Sequence, residues 1–346
     1  GLIRGKLDNE WVLTTRRWTL MAWYFLSAGL ILGGQWAYEE LGWGGFWAWD
    51  PVENAALMPW LTGTAFLHSV MIQEKRNMLK IWNVVLIITT FGLTIIGTFL
   101  TRSGIINSVH SFTQSEIGPA FLVYLALVLI AGFALLFKRI QMLESEYKIE
   151  SVICRENVFL AQNILLVGIA FTVLLGTTFP LLAEAVRGTK LSIQAPFFNT
   201  ITAPMGYALL ILMGIGMLIS WRRSSPDNLR RNFQNPIIIA SLGTIILMWL
   251  LFDKSLQWGV YIIFWSAIFV TSIILFEIVK ATQIIAKQTE SNILMGLFYV
   301  ILRNRRRYGG LMIHFGVVLM FLGFAGTFFS LEKDLTLEAG ESKEIG

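Results

Sequence analysis

Nine apolar stretches, each long enough at about 17–25 residues to cross a bilayer as a helix, dominate this chain. They lie near 18–38, 56–73, 81–100, 119–137, 157–180, 201–221, 236–252, 258–279 and 309–329. Within a membrane only helices or closed barrels satisfy every backbone donor and acceptor. The apolar runs are continuous rather than alternating, which favours helices. The expected fold is an all-α polytopic integral membrane protein, a bundle of nine transmembrane helices. The chain is 14% charged, against about 25% for a soluble domain.

The net charge of +5 raises the question of nucleic acid, and its distribution answers it. The segments 1–17, 74–80, 138–156, 222–235 and 280–308 hold 21 of the 27 Lys and Arg. The segments 39–55, 101–116, 181–200, 253–257 and 330–346 hold the other 6. Basic loops stay on the cytoplasmic side, so residues 1–17 are expected inside and the 39–55 loop outside. The charge is a topology signal, and no nucleic-acid partner is expected. Cys154 is the one cysteine, so the chain offers itself no disulfide, CxxC pair or cysteine zinc site. It opens on Gly1 in polar sequence with no signal-peptide pattern and ends soon after a polar stretch begins. It reads as a fragment of a longer protein, with a membrane domain over 1–330 and the start of an external segment at 331–346.

The 39–55 loop reads EELGWGGFWAWDPVENA. Trp43, Phe46, Trp47 and Trp49 crowd together around Gly44 and Gly45. Two readings stand. One is an aromatic belt at the membrane surface, followed by a helix start in which Asp50 caps, Pro51 fills the first position and Glu53 bonds back. The other is a flat indole platform on which a planar macrocycle stacks, with glycines allowing close approach to the backbone.

His68 lies five residues before Gln73, about 8 Å along its helix. His314 lies six residues after Tyr308, about 9 Å along a span running the opposite way. Both therefore fall at one depth in the inner half of the membrane. A buried histidine bonded to a neighbouring helix is the plain reading. An intramembrane ligand pair is the functional one. Zinc wants four ligands, and neither span offers a second near its histidine. Haem needs only two axial groups, so bis-His ligation of a b-type haem fits. Arg303, Arg305, Arg306 and Arg307 anchor the last span on the inner side and are candidates for pairing with propionates. His110 sits in the loop TRSGIINSVHSF, on the side of the tryptophans. Arg102, at the membrane edge, opens that loop.

WGGFWAWDPVEN resembles the tryptophan-rich WWD signature of the haem-handling membrane proteins of cytochrome c biogenesis. LMPWLTGTAFLHSVMIQEKR and GTFLTRSGIINSVHSF resemble one branch of them, the CcmF-type haem lyase subunits. The likeness runs from about residue 4 to the end. Phe46 stands where related sequences often carry another Trp, which keeps a stacking face and loses an indole donor.

The resemblance implies a bacterial inner-membrane protein with the WWD loop in the periplasm, acting as a haem lyase component. It implies haem resting on Trp43, Trp47 and Trp49 beside Asp50, with His110 as one iron ligand and a second external histidine upstream. It also implies that His68 and His314 hold a membrane-embedded haem b that keeps the external haem reduced, with quinol a candidate electron source. The implied partners are a haem chaperone, apocytochrome c and the subunit presenting it. Thioether bonds would join its CxxCH thiols to the haem vinyls. No loop side chain reads as a nucleophile or general base. The alternatives are a b-type electron-transfer subunit, a haem transporter and a scaffold of a maturation complex.

The charge pattern predicts that single cysteines placed in 39–55, 101–116 and 330–346, with Cys154 replaced by Ser, react with an impermeant thiol reagent in intact spheroplasts. Protection of the 39–55 position alone would reverse the side assigned to the tryptophans.

Overall fold

A computed structural model describes residues 1–3, 5, 9–41, 45–103, 117–145, 147, 149–188, 191–251, 258–329 and 342. Trp43, His110 and nearly all of the expected 331–346 segment lie outside the described residues. The described helices form two compact units, Gly1–Ser225 and Pro226–Gly346. No strand occurs among the described residues.

The first unit holds α1 (Asn9–Glu40), α2 (Pro51–Arg76), α3 (Lys80–Arg102), α4 (Gly118–Lys138), α5 (Arg155–Arg187) and α6 (Ala195–Leu218). The second holds α7 (Pro226–Leu250), α8 (Trp258–Gln288), α9 (Ile293–Arg303) and α10 (Arg305–Gly326). Eight of these helices are long and apolar enough to cross a membrane, matching the second to ninth expected spans. The protein is thus an all-α polytopic membrane protein. The first expected span, 18–38, lies inside α1, which is not among the eight. That stretch has no charged residue, but Gly33, Gly34, Gln35 and several Trp and Tyr dilute its apolar character. At 32 residues α1 is nonetheless about 48 Å long.

Two differences from the sequence reading bear on function. α6 begins at Ala195, inside the stretch expected to be a loop, because Pro196 falls in its first turn, where a missing N–H costs nothing. The link 280–308 carries α9, 11 residues long, where only a basic connection was expected. Asn292 caps α9 by accepting from Met295 N at 2.8 Å. α9 lies against α8, where a Cβ on Gly296 would stand 3.0 Å from the Thr282 carbonyl.

α2 is the hub of the first unit, packing against α1, α3 and α5, while α3 carries α4 and α5 carries α6. Lipid is as apolar as a leucine side chain, so helices gain little by hiding apolar faces from it. Close contact and interhelical hydrogen bonds hold them instead. α2 supplies most of these. Trp23 Nε1 donates to Thr64 Oγ1 at 2.8 Å, and Trp60 Nε1 to Ser27 Oγ at 2.8 Å, joining α1 to α2. Thr90 Oγ1 donates to Thr62 Oγ1 at 2.8 Å, and Asn83 Nδ2 to Gln73 Oε1 at 2.7 Å, joining α3 to α2. Gly97 lets the Ala55 backbone come close, since a Cβ there would lie 3.2 Å from its carbonyl oxygen.

α2 and α5 run antiparallel and stay in step. Asn54 Nδ2 donates to Thr177 Oγ1 at 3.0 Å near one end. Ile72 packs with Phe159 further along. At the other end Arg76 Nε lies 3.1 Å from Glu156 Oε1, with both side chains under a tenth exposed. Arg76 Nη2 also donates to Glu150 at 2.5 Å, and Glu156 accepts from the Arg222 backbone N–H at 3.1 Å. Arg16 of α1 pairs with Glu74 of α2 at the same end.

Removing one partner of a buried ion pair strands the other, at about 3–5 kcal/mol. Arg76→Met should therefore lower the thermal unfolding midpoint markedly in detergent, followed by circular dichroism. Glu150→Gln, at a half-exposed site, should cost no more than about 1 kcal/mol.

Candidate functional sites at the tryptophan loop and the membrane histidines

The start of α2 shapes the tryptophan site. Asp50 Oδ2 accepts from Val52 N at 2.9 Å, and Glu53 Oε2 accepts from Asp50 N at 3.2 Å, with Pro51 in the first turn. This is the capping box expected from the sequence. Glu53 also accepts from Ala48 N at 3.1 Å, so it holds the loop as well as the helix. The loop crosses α1 at Gly34, where a Cβ would stand 3.2 Å from the Phe46 carbonyl oxygen. Asp50 thus has a structural role in full view, beside any role toward a ligand.

Trp49 has a left-handed backbone, φ 58°, which costs a bulky residue about 1–3 kcal/mol. Asn54, 1% exposed, holds it there by donating to the Trp49 carbonyl at 3.0 Å. The indole stacks on Phe198 of α6 with centroids 4.9 Å apart and an interplanar angle of 11°. Its Nε1 donates to Asn199 Oδ1 at 2.8 Å. Trp47 meets it edge-on at 5.9 Å and 89°. Beside them, a Cβ on Gly45 would meet no atom of the described residues within 4 Å. Trp47 and Trp49 are therefore brought together, both half-buried.

The sequence reading missed Phe198 and Asn199. They sat in a stretch, 181–200, that showed no pattern. Pro196 was the available signal, because a proline at a helix start would have moved α6 outward and put both residues on its first turn.

The inner site centres on His68, half-buried on α2. Its Nδ1 lies 2.9 Å from the Thr64 carbonyl oxygen. A carbonyl only accepts, so Nδ1 carries the proton in the neutral ring. A ligating histidine commonly has this support. Phe159 of α5 packs edge-on against the ring at 5.8 Å and 70°. One turn further along α5 from Phe159, Asn163 comes to the level of His68, since Phe159 already faces Ile72. Asn163 is 0% exposed, and its amide atoms have no hydrogen-bond partner among the described residues. A buried amide is costly until it is bonded.

His314 is half-buried on α10 in the second unit. Cβ atoms on Gly309, Gly310 or Gly316 would meet no atom of the described residues within 4 Å, so these residues leave open space on the helix beside it. α10 begins where Asn304 Oδ1 accepts from Arg307 N at 3.3 Å. Arg303, Arg305, Arg306 and Arg307 are exposed around that start, and Arg307 pairs with Glu277 of α8. Arg102 ends α3 and is exposed.

Cys154, just before α5, is buried. Its Sγ donates to the Ser151 carbonyl at 3.0 Å. Burial pushes the thiol above its usual range.

The family model described as Cytochrome C assembly protein matches residues 2–106, a region that includes the tryptophan loop and His68. The cytochrome c-type biogenesis protein CcmF of Pseudomonas fluorescens is 36% identical over 347 residues, covering 100% of this chain and 51% of the relative. The protein of the same name from Escherichia coli (strain K12) is 36% identical over 358 residues, with 100% and 51% covered. That of Haemophilus influenzae is 38% identical over 350 residues, with 100% and 52% covered. The chain spans about half the length of these relatives. No solved structure matches.

Asp50→Ala should cost about 1 kcal/mol through loss of the cap and speed amide exchange at Val52, whereas Asp50→Ser should keep most of that protection. Equal exchange in the wild type and Asp50→Ala would remove the cap from the account of this loop.

Proposed function

Because the chain belongs to the CcmF-type family of cytochrome c-type biogenesis proteins, we propose that it holds haem at the tryptophan loop for attachment to apocytochrome c. The observation that carries this reading is the paired Trp47 and Trp49, fixed at the outer end of α2 beside the open space at Gly45. A planar aromatic macrocycle needs apolar faces at stacking distance and a backbone it can approach, and this corner offers both. His110, on the same side by the charge pattern, supplies an iron ligand there. Bound haem supplies the vinyl groups that become thioethers.

The loop residues bind and orient. They include no nucleophile or general base, so rate would come from placing thiol and vinyl side by side. Asp50 and Glu53 keep the loop in register with α2. The thiols belong to apocytochrome c, brought by a presenting subunit, and haem arrives through a chaperone. The tryptophan side is periplasmic and the membrane is the bacterial inner membrane.

His68 and His314 are the axial ligands of a membrane-embedded haem b. The equal depths in the sequence support the pairing, and the residues of each unit fit the group. The Thr64 carbonyl fixes the His68 ring through Nδ1, Asn163 brings a buried amide to its level, and the described residues leave room at the glycines beside His314. Arg303, Arg305 and Arg306 are suited to propionates near that end. Quinol is the electron source that a haem at this depth would meet. A b-type electron-transfer subunit would use the same two histidines but would leave the fixed pair of tryptophans without a purpose.

His68→Ala and His314→Ala should each abolish a six-coordinate low-spin spectrum of the purified protein, while Trp47→Ala should leave it intact and weaken haem held outside. An unchanged low-spin spectrum in both histidine variants would remove the inner haem from the proposal.

A further inference from the structure

The sequence places Trp49 with the stacking surface, but its surroundings leave it little surface to offer. Phe198 covers one face of the indole at 4.9 Å. Asn199 takes its N–H at 2.8 Å, so that donor is spent on the protein. Trp47 stands against it edge-on. Asn54 grips its carbonyl at 3.0 Å and ties the same point to Thr177 of α5 at 3.0 Å. Three helices therefore converge on one residue whose backbone sits in a conformation that bulky side chains avoid. Such a residue persists only when its surroundings over-determine it.

The support continues a layer deeper. Phe198 is 2% exposed and lies on Gly176 of α5. A Cβ at Gly176 would fall 2.5 Å from Phe198 Cε1 and 2.9 Å from Phe197 Cε1. A ring edge cannot yield that much without moving the ring. The order of contact is thus Gly176, Phe198, Trp49, Trp47, running from the α5–α6 seam to the open side of the loop.

We infer that Phe198 and Asn199 are positioning residues of the tryptophan site, clamping Trp49 as a fixed wall so that Trp47 and the space at Gly45 meet a planar aromatic ligand. This rests on the haem reading above for the identity of that ligand, but the clamp itself rests on the geometry of one unit. Because α6 begins at Ala195, residues 198 and 199 fall on its first turns beside the loop.

The test uses the intact protein in detergent, with two readouts. Near-ultraviolet circular dichroism reports the indole environment without ligand. Haemin titration in a His68→Ala, His314→Ala background reports the outer site alone. Asn199→Ala should alter the near-ultraviolet signal and weaken haemin binding about three- to tenfold, the range for losing one hydrogen bond. Asn199→Asp, which keeps an acceptor for the indole, should restore both. Gly176→Ala should reproduce the Asn199→Ala effects from a position that touches neither the loop nor a ligand.

Unchanged haemin affinity in both Asn199→Ala and Gly176→Ala would overturn the inference. So would loss of affinity that Asn199→Asp fails to restore. If the unaltered outer site takes up no haemin, the proposed function fails there, and an unchanged near-ultraviolet signal in Asn199→Ala would then sink the clamp separately.

Discussion

A helix in lipid cannot be held to its neighbour by the apolar surface it hides, and everything in the first unit follows from how α2 meets that constraint. It carries Asn54, Thr62, Thr64, Gln73 and Arg76 at intervals along its length, and each finds a polar partner on α1, α3 or α5. Interhelical hydrogen bonds of this kind contribute about 0.6–2 kcal/mol each in a membrane. Their value lies as much in geometry as in energy. A leucine zipper can slide by a turn, whereas a slip would part Asn83 from Gln73 and Thr90 from Thr62. The register of the unit is therefore set by chemistry that tolerates no slip.

Both candidate sites are referred to this one helix. Asp50 caps it at the tryptophan end, and His68 sits eighteen residues on, roughly 27 Å by the helical rise. The ends are tied down differently. The tryptophan end has a capping box that also holds Ala48, and the opposite end has a buried cation between two carboxylates. A loop fixed to a helix end, rather than floating between two helices, is what lets three aromatic rings keep their angles.

Much of this was legible in the amino-acid sequence. Eight spans appear where the apolar runs placed them, and Asp50-Pro51-Val52-Glu53 forms the box that its spelling suggested. These are local features, decided by residues within a few positions of one another. The bond from Trp49 to Asn199 joins residues 150 positions apart, and no pattern in either segment encodes it. α6 was misplaced by a few residues because hydropathy marks the middle of a span better than its ends, and Pro196 went unused. α9 was hidden because a run of eleven residues, mostly apolar and ending in Arg303, is too short to stand out from a link. His68 stood out as an ionisable residue in a span, but the proton on Nδ1 needed the Thr64 carbonyl to be seen. Trp43 and His110 remain sequence expectations, outside the described residues.

Cys154 has a consequence for any partner that carries thiols. Exchange between a thiol and a disulfide begins with a thiolate reaching sulfur, and a buried thiol whose ionisation is pushed upward supplies almost none. Cys154 is held in that condition by its fold and its bond to Ser151. Cys154 is thus poorly suited to thiol–disulfide exchange, whatever thiol approaches it.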